Sequence, residues 1–332
     1  MPLVSLFHPA GDFEELAEAV ACAEATGFHG CFFGEHHGAP GIDRPQLLVL
    51  LAALAARTRS IRLGTSILLS ALYNPMHVAE MAAVVDRISR GRLVLGLGLG
   101  YQPQDFRQFG VPFAERVSRF EEGIEVLRRA WTSERFSYAG RRFRFDDVAV
   151  HPRPVQQPHP PIWLAAWSIA GAERAGRLGD AYVTDPIQSR TTLAKFADAY
   201  RARAEAAGRA PELVLMRELL VAPTRAEALE RYAEGLLAQY RYYFANDAFL
   251  REHEPWMQEV RDARELSWEI VSRERVIWGN PDDCADQLRE WCRALGSAHV
   301  QVTIPQARGG FSREQQLATI RLIGERVIPK LR

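Results

Sequence analysis

The stretch that decides the fold runs from Ile61 to Leu97 and reads IRLGTSILLSALYNPMHVAEMAAVVDRISRGRLVLGL. Its two ends are short runs rich in β-branched and aliphatic residues, which predict two β-strands. Between them, Asn74 precedes Pro75 as an N-cap does, apolar residues recur at helical spacing, and Gly91 marks the helix end. A strand that leads through a helix to another strand is the unit from which parallel sheets are built.

The same alternation of strand and helix recurs along the rest of the chain. Eight runs are predicted as strands: Leu3–Phe7, Phe28–Phe33, Ile61–Leu69, Leu93–Leu97, Ile162–Ala165, Ala181–Thr184, Leu213–Val221 and Val300–Ile304. Each of them is followed by a helical pattern, whereas an open doubly wound sheet would normally need fewer strands or a second domain. The pattern therefore predicts an α/β fold, a single (β/α)8 TIM barrel spanning residues 1–332.

Two segments interrupt this alternation and are predicted as insertions. Residues 137–161, after the fourth strand, are rich in proline and aromatic residues, and Ala139-Gly140 within them predicts a hairpin. Residues 245–278, before the eighth strand, are charged and aromatic with weak periodicity, and they are too long for a plain loop. We expect this second insertion to be a partly ordered, lid-like segment.

The composition excludes several classes of protein. The hydrophobic fraction of 47% is ordinary for a globular chain, and 41 Lys and Arg residues balance 41 Asp and Glu residues. No basic field is therefore present to attract nucleic acid or a membrane surface. The longest apolar run, which ends at Ala56, is too short to cross a bilayer. The N-terminus lacks the basic start of a signal peptide and the four cysteines form no CxxC pair, so we expect a cytoplasmic protein with reduced thiols.

The carboxyl ends of the predicted strands supply the candidate active-site residues, because TIM barrels place their active sites there. The second strand leads into Glu35, His36 and His37. Neighbouring residues of an extended strand point to opposite sides, and the chain contains no HxH or HExxH motif, so no metal site is predicted. We expect His36 to face the cavity and His37 to pack against the loop or cap it.

Two further strand ends indicate ligand contacts. Residues 96–100, GLGLG, lack the spacing of a dinucleotide-binding motif, and no helix is predicted before about Phe113. These glycines predict either a bulky planar ligand over the barrel mouth or tight packing alone. Residues 166–171, AWSIAG, open a helix directly at a strand end, where free N–H groups and Ser168 form a seat for a phosphate. The alternative is that Ser168 is only the N-cap of that helix.

Several of these segments, taken in order and spacing, resemble the bacterial luciferase-like flavin monooxygenases. Glu35-His36-His37 is similar to the corresponding site of that family, as are GTSILL at 64–69 and the stretch from Asn74 to Gly110. The segments PRPVQQPHPPIWLAAWS at 152–168 and RAGRLGDAYVT at 174–184 fit the same family. The likeness covers most of the chain, and residues 245–278 and the C-terminal stretch are its least diagnostic parts.

The resemblance implies a barrel that binds FMN and works as a homodimer. His36 matches the catalytic histidine of the family. Glu35 would orient the loop or the flavin, unless it only pairs with a surface arginine. The positions implied to contact the cofactor are Ser66, Ile67, Leu99, Tyr101, Arg116, Ala166, Trp167 and Ser168.

Within that set, Ser66-Ile67 matches a non-proline cis peptide under the flavin ring, and Ala166 to Ser168 match the segment that holds the flavin phosphate. Arg116 lies near the position of an arginine that pairs with this phosphate. Leu99 is a departure, because the luciferase catalytic subunit has arginine there. His8 and His37 are the candidate substrate contacts.

The implied reaction uses reduced FMN and O2, through a flavin hydroperoxide, to oxygenate a small organic substrate. Because the chain has no nicotinamide-binding motif, a separate flavin reductase would supply the reduced FMN. Two alternatives stay open, a deazaflavin-dependent enzyme of the same fold that transfers hydride, and a non-catalytic flavin-binding subunit. The presence of His36 argues against the second of these. Arg273 and Arg275, in the second insertion, are expected to be solvated surface charges rather than contacts to an anionic substrate.

Overall fold

The computed structural model describes residues 1–37, 46–246, 248–250, 253–304 and 312–331. The sequence also predicts that the second helix begins at Pro45 and that the segment after Ile304 is one of the strand ends at the barrel mouth, and both positions lie outside these ranges. No helix within the ranges is both long and apolar enough to span a membrane.

Parallel strands form the centre of the fold. The strands of the described residues are β1 (Leu3–Phe7), β2 (Gly30–Phe33), β3 (Arg62–Leu68), β4 (Leu93–Leu97), β5 (Phe136–Ala139), β6 (Arg144–Val148), β7 (Ile162–Ala165), β8 (Ala181–Val183), β9 (Leu213–Val221), β10 (Ile277–Gly279) and β11 (His299–Thr303). Hydrogen-bonded neighbours follow the order β1-β2-β3-β4-β7-β8-β9-β11, and β11 pairs with β1. These eight parallel strands close into a barrel surrounded by helices, which is the predicted TIM barrel.

The helices lie between the strands along the chain. They are α1 (Phe13–Ala25), α2 (Leu47–Arg57), α3 (Pro75–Ser89), α4 (Pro103–Gln108), α5 (Arg116–Thr132), α6 (Ile169–Leu178), α7 (Arg190–Ala206), α8 (Arg225–Ala245), α9 (Pro255–Gln258), α10 (Trp268–Ser272), α11 (Pro281–Leu295) and α12 (Arg313–Leu322). Two helix starts are set by N-cap residues that the sequence predicts, namely Asp12 before α1 and Asn74 before α3. Asp12 and Glu15 form a capping box at α1. At α3, the Asn74 side chain accepts a hydrogen bond from the Met76 N–H.

Burial on both faces explains why the strands could be recognised in the sequence. Every residue of β2, β4 and β9 is buried. Strands β2 and β4 are therefore short apolar runs, and β9 is one as well except for the buried Arg217 and Glu218. Several short elements were not predicted, among them β10, α4 and the two short helices α9 and α10. Strand β10 pairs with the second half of β9, with Ile277 opposite Leu219, and α4 begins at Pro103, before the helix expected near Phe113.

The two predicted insertions have different structures. Strands β5 and β6 pair antiparallel and form the hairpin expected within residues 137–161. The described residues of 245–278 contain α9, α10 and β10. Their apolar side chains, among them Phe249, Met257 and Val271, pack with Tyr240 of α8 in a second hydrophobic cluster. This insertion is therefore anchored to α8 over the residues that are described.

Candidate active site

A cavity of about 440 Å³ lies at the carboxyl ends of the barrel strands. Its lining comes from β1, β3, β7 and β9, from the segments and helices that follow β2, β3, β4, β7 and β8, and from Tyr243 of α8. The predicted site residues that line it are Glu35, His36, Ser66, Ile67, Leu99, Tyr101, Arg116, Ala166, Trp167 and Ser168. The strand ends thus bring together residues that are far apart in the sequence.

Two predicted residues, His8 and His37, are not among those that line the cavity. The Nδ1 atom of His8 accepts a hydrogen bond from the Gly34 N–H at 3.1 Å, which turns its ring toward the end of β2. His37 is 2% exposed; its Nε2 lies 3.2 Å from Glu35 Oε1, and its ring packs edge-on against Phe109. The expected substrate contacts of these two histidines are therefore not found in the cavity, and His37 packs behind the loop.

Glu35 holds the loop after β2 in place. Its Oε2 atom accepts a hydrogen bond from the Leu69 N–H at 2.6 Å, and its Oε1 accepts one from the Tyr73 hydroxyl. Burial, together with the Glu35 charge, raises the pKa of the Tyr73 hydroxyl far above its ordinary value. Glu35 is buried and forms no ion pair with an arginine of the described residues, and its contacts support the loop-orienting role.

His36 presents its imidazole to the cavity. The residue is half-buried, and within the described part of the chain no hydrogen bond to its ring is found. Burial lowers the pKa of His36, while the carboxylates of Asp105 and Glu35 oppose that effect. A neutral imidazole with open nitrogens can accept or donate a proton at a bound molecule.

The floor of the cavity is formed where β3 meets β4. The Ser66–Ile67 peptide bond is cis, as the family resemblance implies. A Cβ atom placed on Gly98 would lie 1.8 Å from Ile67 Cδ1, and one on Gly96 would lie 2.0 Å from the Thr65 carbonyl oxygen. Close packing between the two strands thus requires these glycines. Of the two explanations for GLGLG, the packing explanation is sufficient.

A positively polarised wall faces the cavity at the start of α6. Ser168 accepts a hydrogen bond from the Gly171 N–H at 3.2 Å, so it caps the helix and also lines the cavity. The Arg116 guanidinium stacks 3.9 Å from the centre of the Phe113 ring, and no described carboxylate lies within 4.0 Å of it. Helix N-termini and unpaired guanidinium groups bind phosphate, so these residues fit the phosphate of FMN.

Two aromatic side chains stand at the rim. The ring centres of Tyr101 and Trp167 are 5.1 Å apart, and both side chains remain substantially exposed while lining the cavity. None of the described residues of the second insertion lines the cavity; the nearest lining residue along the chain is Tyr243 of α8. The aromatic pair, rather than the described part of the insertion, therefore borders the opening.

Two buried carboxyl groups in the lining were given no role from the sequence, although the strand-end rule selects Thr184-Asp185 as a position at the barrel mouth. Asp105 of α4 is 3% exposed and Asp185, after β8, is 2% exposed. The Asp185 Oδ1 atom accepts hydrogen bonds from the N–H groups of Ile187 and Gln188, both at 2.8 Å. Burial raises the pKa of both carboxyl groups. Asp105 lies within the stretch from Asn74 to Gly110 that carries the family resemblance, but nothing in the local pattern marks this residue itself.

Arg275 is buried, so the expectation that it is a solvated surface charge is wrong. Its side chain is fully buried and forms an ion pair with Glu254, and its Nε donates to the Ile187 carbonyl oxygen at 2.8 Å. It is therefore an internal anchor and not a solvated surface charge. Over the described residues, no group of three or more His, Cys, Asp or Glu side chains could hold a metal ion.

Comparison with known proteins identifies the family. The model of the luciferase-like monooxygenase family matches residues 4–299, so the chain belongs to that family. An F420-dependent glucose-6-phosphate dehydrogenase of Nakamurella multipartita is 28% identical, covering 96% of this chain and 92% of the relative. The oxygenase component of a flavin-dependent trigonelline monooxygenase from Acinetobacter baylyi is 25% identical, covering 96% and 89%.

A solved structure agrees with this assignment. The monooxygenase RslO1 from Streptomyces bottropensis superposes with a TM-score of 0.81 at 29% identity, covering 98% of this chain and 99% of the other. These three proteins are named as a flavin-dependent monooxygenase, a monooxygenase and an F420-dependent dehydrogenase. The chain is thus an oxidoreductase of the flavin and deazaflavin type.

Proposed function

We propose that this chain is the oxygenase of a two-component system. It uses reduced FMN and O2 to oxygenate a small organic substrate, and a separate flavin reductase supplies the reduced FMN. One observation carries the proposal: a single cavity joins a seat for a phosphate, formed by Arg116 and the start of α6, to the open imidazole of His36.

Different residues of the cavity would bind different parts of FMN. Arg116, Ser168 and the N–H groups of α6 would bind the phosphate, and Ile67 and Leu99 would lie against the apolar part of the cofactor. Leu99 supplies no positive charge, so Arg116 takes a larger share of phosphate binding. Reduced FMN, when bound, supplies the electrons that activate oxygen.

His36 would handle the proton. Because burial favours its neutral form, the imidazole can accept a proton from the substrate or from the bound cofactor, and can return it later. Tyr101 and Trp167 border the opening, and their rings would restrict water once a substrate is present. The substrate is expected to be moderately apolar, since most of the lining is aliphatic or aromatic.

The relatives support the separate reductase and also define the second candidate. The Acinetobacter baylyi relative is named as an oxygenase component, a term that fits a system with a separate source of reduced flavin. The Nakamurella multipartita relative uses F420, so hydride transfer with a deazaflavin is the competing function.

We also propose a single-domain chain that forms a homodimer. Val49, Val84 and Ile88 on α2 and α3 are exposed apolar residues that a second copy would cover.

Cofactor preference tests the proposal. The purified chain is titrated without oxygen, in one series with reduced FMN and in another with reduced F420, and binding is followed by fluorescence. We expect reduced FMN to bind more tightly. Tighter binding of F420 would establish the competing function, and binding of neither would contradict both. Size-exclusion chromatography with light scattering tests the homodimer separately.

A further inference from the structure

Asp105 is an unusual carboxyl group because it is buried at a cavity wall and has no arginine or lysine partner among the residues that the structure describes. It lies in the first turn of α4, lines the cavity and is 3% exposed. Its Oδ1 atom has no hydrogen-bond partner among the described residues. No arginine or lysine of the described chain forms an ion pair with it. A buried carboxyl group left in this way is costly, so it calls for a functional explanation.

The charged groups that act on Asp105 belong to the loop after β2. They are His36, His37 and Glu35. Glu35 has the same sign of charge, and its oxygens are already bound to Leu69 and Tyr73. His37 is packed against Phe109 outside the cavity lining. His36 is therefore the one group of this set that lines the same cavity and can become a cation there.

We propose that Asp105 is a positioning residue for His36: its carboxylate stabilises the imidazolium form of His36, so that the two side chains hold one proton at the cavity wall. Asp105 would then act on His36 through its charge and not through packing. It rests on the proposed function only for its catalytic meaning, since the coupling of the two side chains is a property of the chain itself.

Burial and the charge interaction between Asp105 and His36 act in opposite directions on their protonation. Burial alone favours the neutral imidazole and the neutral carboxyl group, which would leave His36 without a proton to donate. The charge of each group favours the charged form of the other. Filling the cavity removes water and lowers the local dielectric constant, so the coupling should strengthen when a ligand is bound.

Titration of His36 by NMR tests the proposal without any turnover. The chain is labelled at histidine with 15N, and His36→Gln assigns the resonance of interest. In Asp105→Asn we expect the pKa of His36 to fall by about one unit or more, because a nearby carboxylate has been neutralised. Asp198→Asn is the matched control, since Asp198 is exposed and paired with Arg201 at 3.4 Å, and it should leave that pKa unchanged.

A conservative variant distinguishes the loss of the Asp105 charge from a defect in folding. Asp105→Glu keeps the charge and should keep the pKa of His36 near the wild-type value, although its longer side chain alters the packing. A His36 titration that is the same in wild type and Asp105→Asn would overturn the proposal, and so would a fall of equal size in Asp105→Glu. Because the measurement needs no flavin, its result is independent of whether the chain proves to be an oxygenase.

Turnover gives a second readout if the oxygenase function holds. The pH at which kcat is half-maximal should move in Asp105→Asn by the same amount as the pKa of His36, with a smaller change in KM. An equal loss of kcat at every pH would instead assign Asp105 a structural role and contradict the proposal.

Discussion

The Glu35 carboxylate accepts a hydrogen bond from the Leu69 backbone N–H at 2.6 Å. This contact joins the loop after β2 to the residue that follows β3. It matters for the site because His36, the next residue after Glu35, presents its imidazole to the cavity, while Ile67 lies in the same floor. The position of the proposed proton-transfer group thus depends on a buried carboxylate that is not itself free to react.

Removing this carboxylate should loosen the loop. Glu35→Ala leaves the Leu69 N–H and the Tyr73 hydroxyl without an acceptor, and we expect a loss of about 2–3 kcal/mol in the free energy of unfolding. Tyr73→Phe removes only one of the two hydrogen bonds and should cost about 1 kcal/mol. Urea unfolding of the three proteins measures both values. A Glu35→Ala protein as stable as wild type would show that the contact does not anchor the loop.

His36→Ala should separate chemistry from binding. We expect turnover to fall about a hundredfold or more, because a positioned acid–base group is lost, while the affinity for reduced FMN changes only a few-fold. His77→Ala, at an exposed position of α3, is the matched control and should behave as wild type. Unchanged turnover in His36→Ala would remove His36 from the mechanism.

Arg116 should discriminate between FMN and riboflavin. Because riboflavin lacks the phosphate, Arg116→Ala should weaken FMN binding by about tenfold or more and leave riboflavin binding nearly unchanged. Arg177→Ala is the control, since Arg177 lies on α6, is half exposed and pairs with Glu121 at 3.5 Å. Fluorescence titrations with the two flavins give the four affinities. Equal losses for both flavins would place the effect of Arg116 somewhere other than the phosphate.

Glu218 should make the stability of the protein depend on pH. Burial raises its pKa to about 7, and Tyr240 donates a hydrogen bond to its Oε2 at 2.7 Å. The folded state therefore binds the proton more tightly than the unfolded state, whose pKa is about 4.3. The stabilising contribution is complete below about pH 4 and is lost as the pH rises toward 7.

Glu218→Gln removes this ionisation and should show the effect directly. Relative to wild type, the variant should gain about 3–4 kcal/mol in free energy of unfolding between pH 4 and pH 8. Glu230→Gln, an exposed position on α8, should show no such trend. Denaturant unfolding at several pH values provides the comparison. A pH-independent difference between Glu218→Gln and wild type would contradict a raised pKa.

Much of the barrel could be predicted because its strands are buried on both faces. The bounds of β1, β4, β7 and β9 match the predicted runs at both ends. The starts of α1 and α3 could also be predicted, because Asp12 and Asn74 are typical N-cap residues. Strand β10 escaped prediction because its three residues gain their pairing from β9, which is distant in the sequence.

The site was predicted in part for a related reason. The strand-end rule selects His36, Tyr101 and Trp167 because each lies in the segment that follows a barrel strand. Asp105 lies further along, on a short helix, and its burial depends on how that helix packs against the rest of the cavity. The pairing of Arg275 with Glu254 is likewise a tertiary contact, so nothing in the local sequence distinguished it from a surface charge.

The most direct test of the proposed function is the reaction of the bound, reduced flavin with oxygen. The protein is mixed with reduced FMN without oxygen, oxygen is then admitted, and the absorbance spectrum is followed in time. A delay before the spectrum of oxidised FMN returns, longer than for free flavin, is the result that the oxygenase account predicts. Reoxidation of bound flavin at the rate of free flavin, with and without candidate substrates, would contradict it.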